Sequence, residues 1–228
     1  MASTSIIYME IAFNLLYLTF IWILVGIMGK RLKSVENNTV LIAKRFVQGF
    51  FLLALGDTGH VGFRVIALLN GGLEANSLLV GIGALSTAIT VTFLYMGLLD
   101  IWRIRFSKKI DITYIIFILA GIVRLLLFIP VENQWGNVVP PFDWSLYRNI
   151  PLMIQGFAVA YLYLKDGIKE KDPKFKTMAY CIIGSFAFYT PVILFVQQVP
   201  LIGMLMIPKT LMYMWLAVLA KNYYFPNK

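Results

Sequence analysis

Charge is scarce in this chain. Only 14% of its 228 residues are charged and 60% are hydrophobic, whereas soluble domains run near about 25% and 45–50%. Cysteine occurs once, at Cys181, which excludes an internal disulfide and a cysteine-based metal cluster. Placed within an apolar run, Cys181 reads as a small packing residue. Histidine also occurs once, at His60, and the bases around it would oppose a cation, so no metal site is expected. Proline is absent before Pro130. There is no Gly-rich phosphate loop, serine-nucleophile motif or prenyl-diphosphate aspartate cluster, which removes the enzyme classes those motifs serve.

What remains is a succession of apolar runs, each roughly 18 to 25 residues long, the length that crosses ~30 Å of hydrocarbon. The predicted spans are 5–29, 44–69, 77–103, 112–130, 147–165, 175–197 and 201–221. The expected fold is therefore all-α: a polytopic integral membrane bundle of seven transmembrane helices forming a single domain over 1–228. No basic residue precedes Lys30, and the first run exceeds a signal-peptide core, so it is expected to stay as a helix.

Loop charge predicts direction. Lys30, Arg31, Lys33, Lys44 and Arg45 flank the first connection; Arg103, Arg105, Lys108 and Lys109 the third; Lys165, Lys169, Lys171, Lys174 and Lys176 the fifth; Lys221 and Lys228 follow the last span. The second connection, "NGGLEANS", and the sixth, "QQVP", hold neither Lys nor Arg. Cytoplasmic loops concentrate these residues, so the N-terminus is expected outside and the C-terminus inside a multi-pass cell-membrane protein. The net charge of +9 thus reports membrane topology, and no nucleic-acid partner is expected. The fourth connection, Val131 to Tyr147, is the one long outer loop. Its Trp135, Phe142, Trp144 and Tyr147 suit an interfacial anchor, or a lid over an outward cavity. No internal repeat is visible between the halves.

Within "LLALGDTGHVGFRVIALL" of span two, Asp57, His60 and Arg64 share one narrow helical sector. Gly56, Gly59 and Gly62 recur every third residue, a spacing that admits a close neighbouring helix. A charge at the bilayer centre costs about 2.5–3.5 kcal/mol on insertion scales, so this face is expected to point into the bundle. Partners stand at similar depth: Glu10 and Asn14 in span one, Arg124 and Glu132 at the outer end of span four, Arg148 and Gln155 in span five, Tyr189 in span six and Lys209 in span seven. The inner half holds little beyond Asp100, spaced to pair with Arg103. These polar residues either neutralise one another as structural ion pairs or line a pocket that opens outward.

Bases outnumber acids in the set, which points to a small anionic or amphiphilic ligand; Arg64, Arg124 and Lys209 are the expected head-group contacts. Glu10, Glu132, Arg148, Asn14, Gln155 and Tyr189 complete the candidate ligand-binding set. A transporter is the leading reading. An intramembrane lipid-active enzyme would use Asp57 and His60 as its acid–base pair. A sensor would need a cytoplasmic effector, because the short basic loops carry no signalling domain. In one respect the chain resembles the microbial rhodopsins: Lys209 lies midway down span seven, and "FAFYTPV" in span six follows an aromatic–Tyr–Pro pattern. The resemblance covers about two spans and implies a retinal Schiff base at Lys209. Span three, however, lacks the mid-membrane carboxylate that serves that family as counter-ion. No cofactor is otherwise indicated, and membrane lipids are the general partners expected.

Overall fold

The computed structural model describes residues 4–226, apart from the side chains of residues 4–7 and of Glu10. Its helices are α1 (Thr4–Arg31), α2 (Val40–Leu69), α3 (Ser77–Arg105), α4 (Ile112–Leu126), α5 (Phe142–Lys169), α6 (Pro173–Phe195) and α7 (Met206–Tyr224). Local chemistry sets several of the boundaries. Asp111 caps α4 by accepting the Tyr114 amide at 2.9 Å. Asp172 caps α6, accepting the Lys174 amide at 3.0 Å, with Pro173 in the first helical position, where its missing N–H costs nothing.

Several boundaries differ by a few residues from those expected, and three of the differences have a local cause. Helix α5 starts at Phe142, straight after Pro140-Pro141, and runs unbroken through Pro151, so the fourth loop is shorter than the sequence indicated. Helix α4 stops at Leu126, because the chain must turn ahead of Pro130, whose ring disfavours helical geometry in the residue before it. The last span opens as a 3-10 turn, Pro200–Leu205, and α7 proper begins at Met206. Lys209 therefore occupies the first turn of α7 rather than its middle. Pro208 lies in that same turn, where a proline breaks no helical hydrogen bond.

Successive helices pack side by side, α7 returns to α1, and α3 also touches α5. Five helical segments are long and apolar enough to cross a membrane: α1, α2, α3, α6, and α7 with its leading turn. Helix α4, at 15 residues, rises only about 22 Å. Helix α5 is long but carries charge. Both nevertheless turn polar side chains inward and apolar ones outward. In α5, Arg148, Asn149, Gln155 and Asp166 are buried, while Ile150, Ile154, Phe157, Tyr161 and Ile168 are exposed. Such inversion suits a hydrocarbon solvent and not water.

The hydrophobic core occupies the half of the bundle nearer the basic loops. It takes in Ile21 and Met28 of α1, Phe46 and Phe50 of α2, Tyr95 and Leu98 of α3, Tyr163 of α5, Phe175 and Phe186 of α6, and Leu216 and Ala220 of α7. That end is also tied by ions. Asp100 accepts Arg45 Nε at 2.8 Å and Arg103 Nη2 at 2.7 Å; Asp166 accepts Lys108 Nζ at 3.1 Å; Asp172 accepts Arg105 Nη2 at 2.7 Å. Trp102 Nε1 adds a hydrogen bond to Asp166 at 2.8 Å. The Asp100–Arg103 pair is as expected. The reading that the inner half holds little else is corrected: Asp166 and Asp172 anchor the basic loops across helices.

Helices α2 and α3 make the closest approach. A Cβ added at Gly56 would sit 1.8 Å from Thr90 Oγ1, and one at Gly83 would sit 2.6 Å from the Gly59 carbonyl oxygen. Gly62 meets nothing within 4 Å, so the three-residue glycine pattern works at two of its positions, not three. Replacing Gly83 with alanine is expected to destabilise the protein by about 1–3 kcal/mol, because the obstacle is backbone. Gly26→Ala, where a Cβ meets nothing within 4 Å, is expected to be neutral or stabilising. Thermal unfolding of both variants in one detergent checks the contrast.

Candidate functional site

Above the core, towards the end opposite the basic loops, packing loosens. In α2 the buried residues run from Ile42 to Gly56 and resume only at Val65 and Ala67. In the last segment no residue from Pro200 to Met212 is buried; burial begins at Tyr213. Asp57, His60, Arg64, Asn14 and Lys209, all half-buried, lie at or beyond the level where the core stops.

Asp57 forms the floor of this region. Thr87 Oγ1 of α3 donates to Asp57 Oδ1 at 2.7 Å, and the Tyr17 hydroxyl of α1 donates to Oδ2. Each carboxylate oxygen is thus held by a hydroxyl from a different helix, and neither bond comes from the imidazole one turn along α2. The Gly56 and Gly83 contacts bring Thr87 within reach. Beside it, Thr90 and Thr92 donate their hydroxyls to backbone carbonyls one turn back.

Lys209 approaches from α7. Its ammonium lies 4.3 Å from the Tyr189 ring centroid and 5.6 Å from that of Tyr213, a cation–π arrangement stronger where water is excluded. Asp57 and Arg124 are among its neighbours, yet among the described residues no carboxylate comes within 4 Å of it. The tyrosines are fixed in turn. The Tyr213 and Tyr95 hydroxyls are 2.7 Å apart, and the Tyr189 hydroxyl donates to Asn149 Oδ1 at 3.1 Å. The buried Thr190 Oγ1, beside Tyr189, and the buried Gln155 Oε1 have no hydrogen-bond partner among the described residues.

The two other central bases are occupied by the protein itself. Arg124, 3% exposed, donates from Nε to the Arg148 carbonyl at 2.9 Å, and from Nη1 to the Ala88 carbonyl at 3.0 Å and Thr92 Oγ1 at 2.7 Å. It stitches α3, α4 and α5 together. Arg148 Nη1 donates to Asn133 Oδ1 at 3.1 Å, and its guanidinium stacks 4.4 Å from the Trp135 ring centroid. Asn133 is fully buried; its Nδ2 donates to the Leu127 and Pro130 carbonyls at 2.8 and 3.0 Å. Trp135 presses its carbonyl so closely on α3 that a Cβ at Gly81 would lie 1.3 Å away. The fourth loop is therefore folded inward and pinned.

The structure thus brings Asp57, Lys209, Tyr189 and Arg124 together. Gln155 stands deeper on α5, its Nε2 donating to the Phe117 carbonyl at 2.9 Å. Glu132 is exposed on the short turn Val131–Asn133, away from the group. Glu10 lies in α1, with its side chain outside the described residues. Sequence reasoning missed Tyr17, Thr87, Tyr95, Asn133 and Tyr213. Nothing in the sequence sets these tyrosines apart from other membrane aromatics, Thr87 from the other small and hydroxyl residues of span three, or Asn133 from the polar residues beside it.

No protein-family model, curated protein or solved structure matches the chain, so any function rests on these contacts. They separate structural bases from an available one. Arg124→Ala, which removes three hydrogen bonds that join α3, α4 and α5 and empties a buried site, is expected to cost at least about 3 kcal/mol of stability. Lys209→Met, which removes an ammonium lacking a close counter-ion, is expected to leave stability unchanged or raised. Paired thermal melts in detergent give the comparison.

Proposed function

We propose that the chain is a multi-pass cell-membrane protein, with its N-terminus outside and C-terminus cytoplasmic, that binds a small anionic or amphiphilic ligand in a polar crevice opening outward. We further propose that it is a transporter. The observation that carries the reading is Lys209: a cation between two tyrosine rings, at the level where core packing ends, with no carboxylate within 4 Å among the described residues. A ligand carboxylate or phosphate would supply the charge-assisted contacts, worth about 1.5–3 kcal/mol each. The tyrosines and nearby methionines would hold its apolar part.

Transport is favoured over static binding by the asymmetry of the bundle. One end is loosely packed and polar. The other is closed by a hydrophobic core and by Asp100, Asp166 and Asp172, each paired to a base on a separate segment or turn. Opening this end would require these pairs to exchange partners or meet water as the helices separate. That is the arrangement expected of an outward-open state in alternating access.

One observation favours a second reading, a receptor whose aldehyde ligand condenses with Lys209 and releases water. Asp57 of α2 provides Lys209 with the neighbouring carboxylate that span three does not. An absorption band in the visible range that disappears in Lys209→Ala would establish it in place of transport.

Native mass spectrometry of the gently extracted protein is expected to find a retained anionic species, bound roughly 10- to 100-fold more weakly by Lys209→Met. Proteoliposomes are expected to accumulate that species; binding without flux would overturn transport. Orientation is checked in a Cys181→Ser background: Glu74→Cys is expected to react with an impermeant maleimide on intact cells, and Lys171→Cys only after permeabilisation.

A further inference from the structure

At the basic end, away from Asp57 and Lys209, a groove of about 350 Å³ opens on the flank of the bundle between α2, α3 and α4. Its walls change with depth. Nearest the basic loops stand Arg45, Gln48, Asp100, Arg103 and Tyr114; towards mid-bundle the lining becomes Leu52, Phe93, Met96 and Ile118. From Arg103 to Phe93 the helix rises about 15 Å. The groove is therefore polar at its mouth and apolar along its length, and Phe93 is exposed at its side.

The polar end carries a surplus of positive charge. Asp100 is shared by two guanidinium groups, accepting Arg45 Nε at 2.8 Å and Arg103 Nε and Nη2 at 2.9 and 2.7 Å. Arg45 Nη1 donates to Gln48 Oε1 at 3.1 Å. Two cations against one anion leave a net charge of one. The Arg45 side chain is 42% exposed and that of Arg103 28%, so both guanidinium groups are open to a ligand at the mouth.

Gly97 gives the groove its depth. A Cβ there would meet nothing within 4 Å, so no neighbouring helix requires glycine. Glycine in a helix interior costs roughly 1 kcal/mol relative to alanine. Its effect here is to leave room beneath the apolar walls. Gly49, across the groove, is different: its Cβ would lie 2.9 Å from Leu94 Cδ1, an ordinary packing restriction.

We propose that this groove is a binding site for one anionic phospholipid of the leaflet on the basic side. Its phosphate lies against Arg45 and Arg103, its glycerol esters near Gln48 and Tyr114, and one acyl chain runs over Gly97 between Leu52, Phe93, Met96 and Ile118. A free phosphate would leave the apolar length unused. A zwitterionic lipid would bring its own cation to a site already in positive surplus. Basic pockets between helices on the cytoplasmic side are a general form of lipid recognition.

The test is lipid titration of the full-length protein in mild detergent, read by native mass spectrometry. The probes are phosphatidylglycerol and phosphatidylcholine with the same acyl chains, with inorganic phosphate as competitor. The first phosphatidylglycerol is expected to bind roughly tenfold more tightly than phosphatidylcholine. Gly97→Leu, which fills the groove without touching the ion pairs, is expected to weaken it roughly tenfold, and Arg45→Gln roughly fivefold. Size-exclusion profiles check that both variants fold; should Gly97→Leu fail to, Arg45→Gln and the lipid selectivity of the unmodified protein still decide the matter. Equal binding of the two lipids, unchanged affinity in a folded variant, or full displacement by millimolar phosphate would each overturn the proposal.

Discussion

The polar half of this bundle depends on how closely α2 approaches α3. Where Gly56 faces Thr90 and Gly83 faces the Gly59 carbonyl, one added carbon would force the helices apart. That contact sets Thr87 against Asp57, and with Tyr17 it divides the carboxylate between two hydroxyl donors. A carboxylate in hydrocarbon without such donors would protonate or draw in water. Held in this way, its two oxygens are fixed in direction by α1 and α3. The α2–α3 contact thus links a sequence of small residues to the electrostatics of the candidate site.

From that point the two ends of the bundle separate in character. Below Asp57 the helices interlock through large side chains, with Tyr95, Tyr163, Phe46 and Phe186 nearly inaccessible, and carboxylates fasten the loops beneath them. Above it the buried residues thin out, and polar groups replace them. Arg124 and Arg148 spend their donors on carbonyls, a hydroxyl and Asn133, and so carry the fourth loop inward as a cap on one side. Lys209, on the other side, is left with aromatic faces. The division between bases that build the protein and a base available to a ligand follows from hydrogen-bond partners, which are properties of neighbours and not of the residues themselves.

Much of this arrangement was legible beforehand. Apolar run length located the helices, and depth placed Asp57, Lys209, Tyr189 and Arg124 at one level. The errors have local causes. Proline pairs and caps moved the ends of α4 and α5, and a 3-10 turn displaced Lys209 to the first turn of α7. Mean hydropathy understates α5 because it averages over both faces, whereas Arg148 and Asp166 are buried in protein. The interlocking of Asp166 and Asp172 with Lys108 and Arg105 went unseen because their partners are far away in sequence. Nothing in a loop asparagine signals that it will be fully buried beneath an arginine, as Asn133 is.

The amino-acid sequence by itself determined that the chain is helical, apolar enough for a bilayer, and ionisable within it, because these follow from composition and from a helical period that any single segment displays. Tertiary structure alone decided which charges meet, which are consumed by the backbone, and where a groove remains open. Those outcomes depend on distances between side chains on different helices, and such distances exist only once the helices have packed.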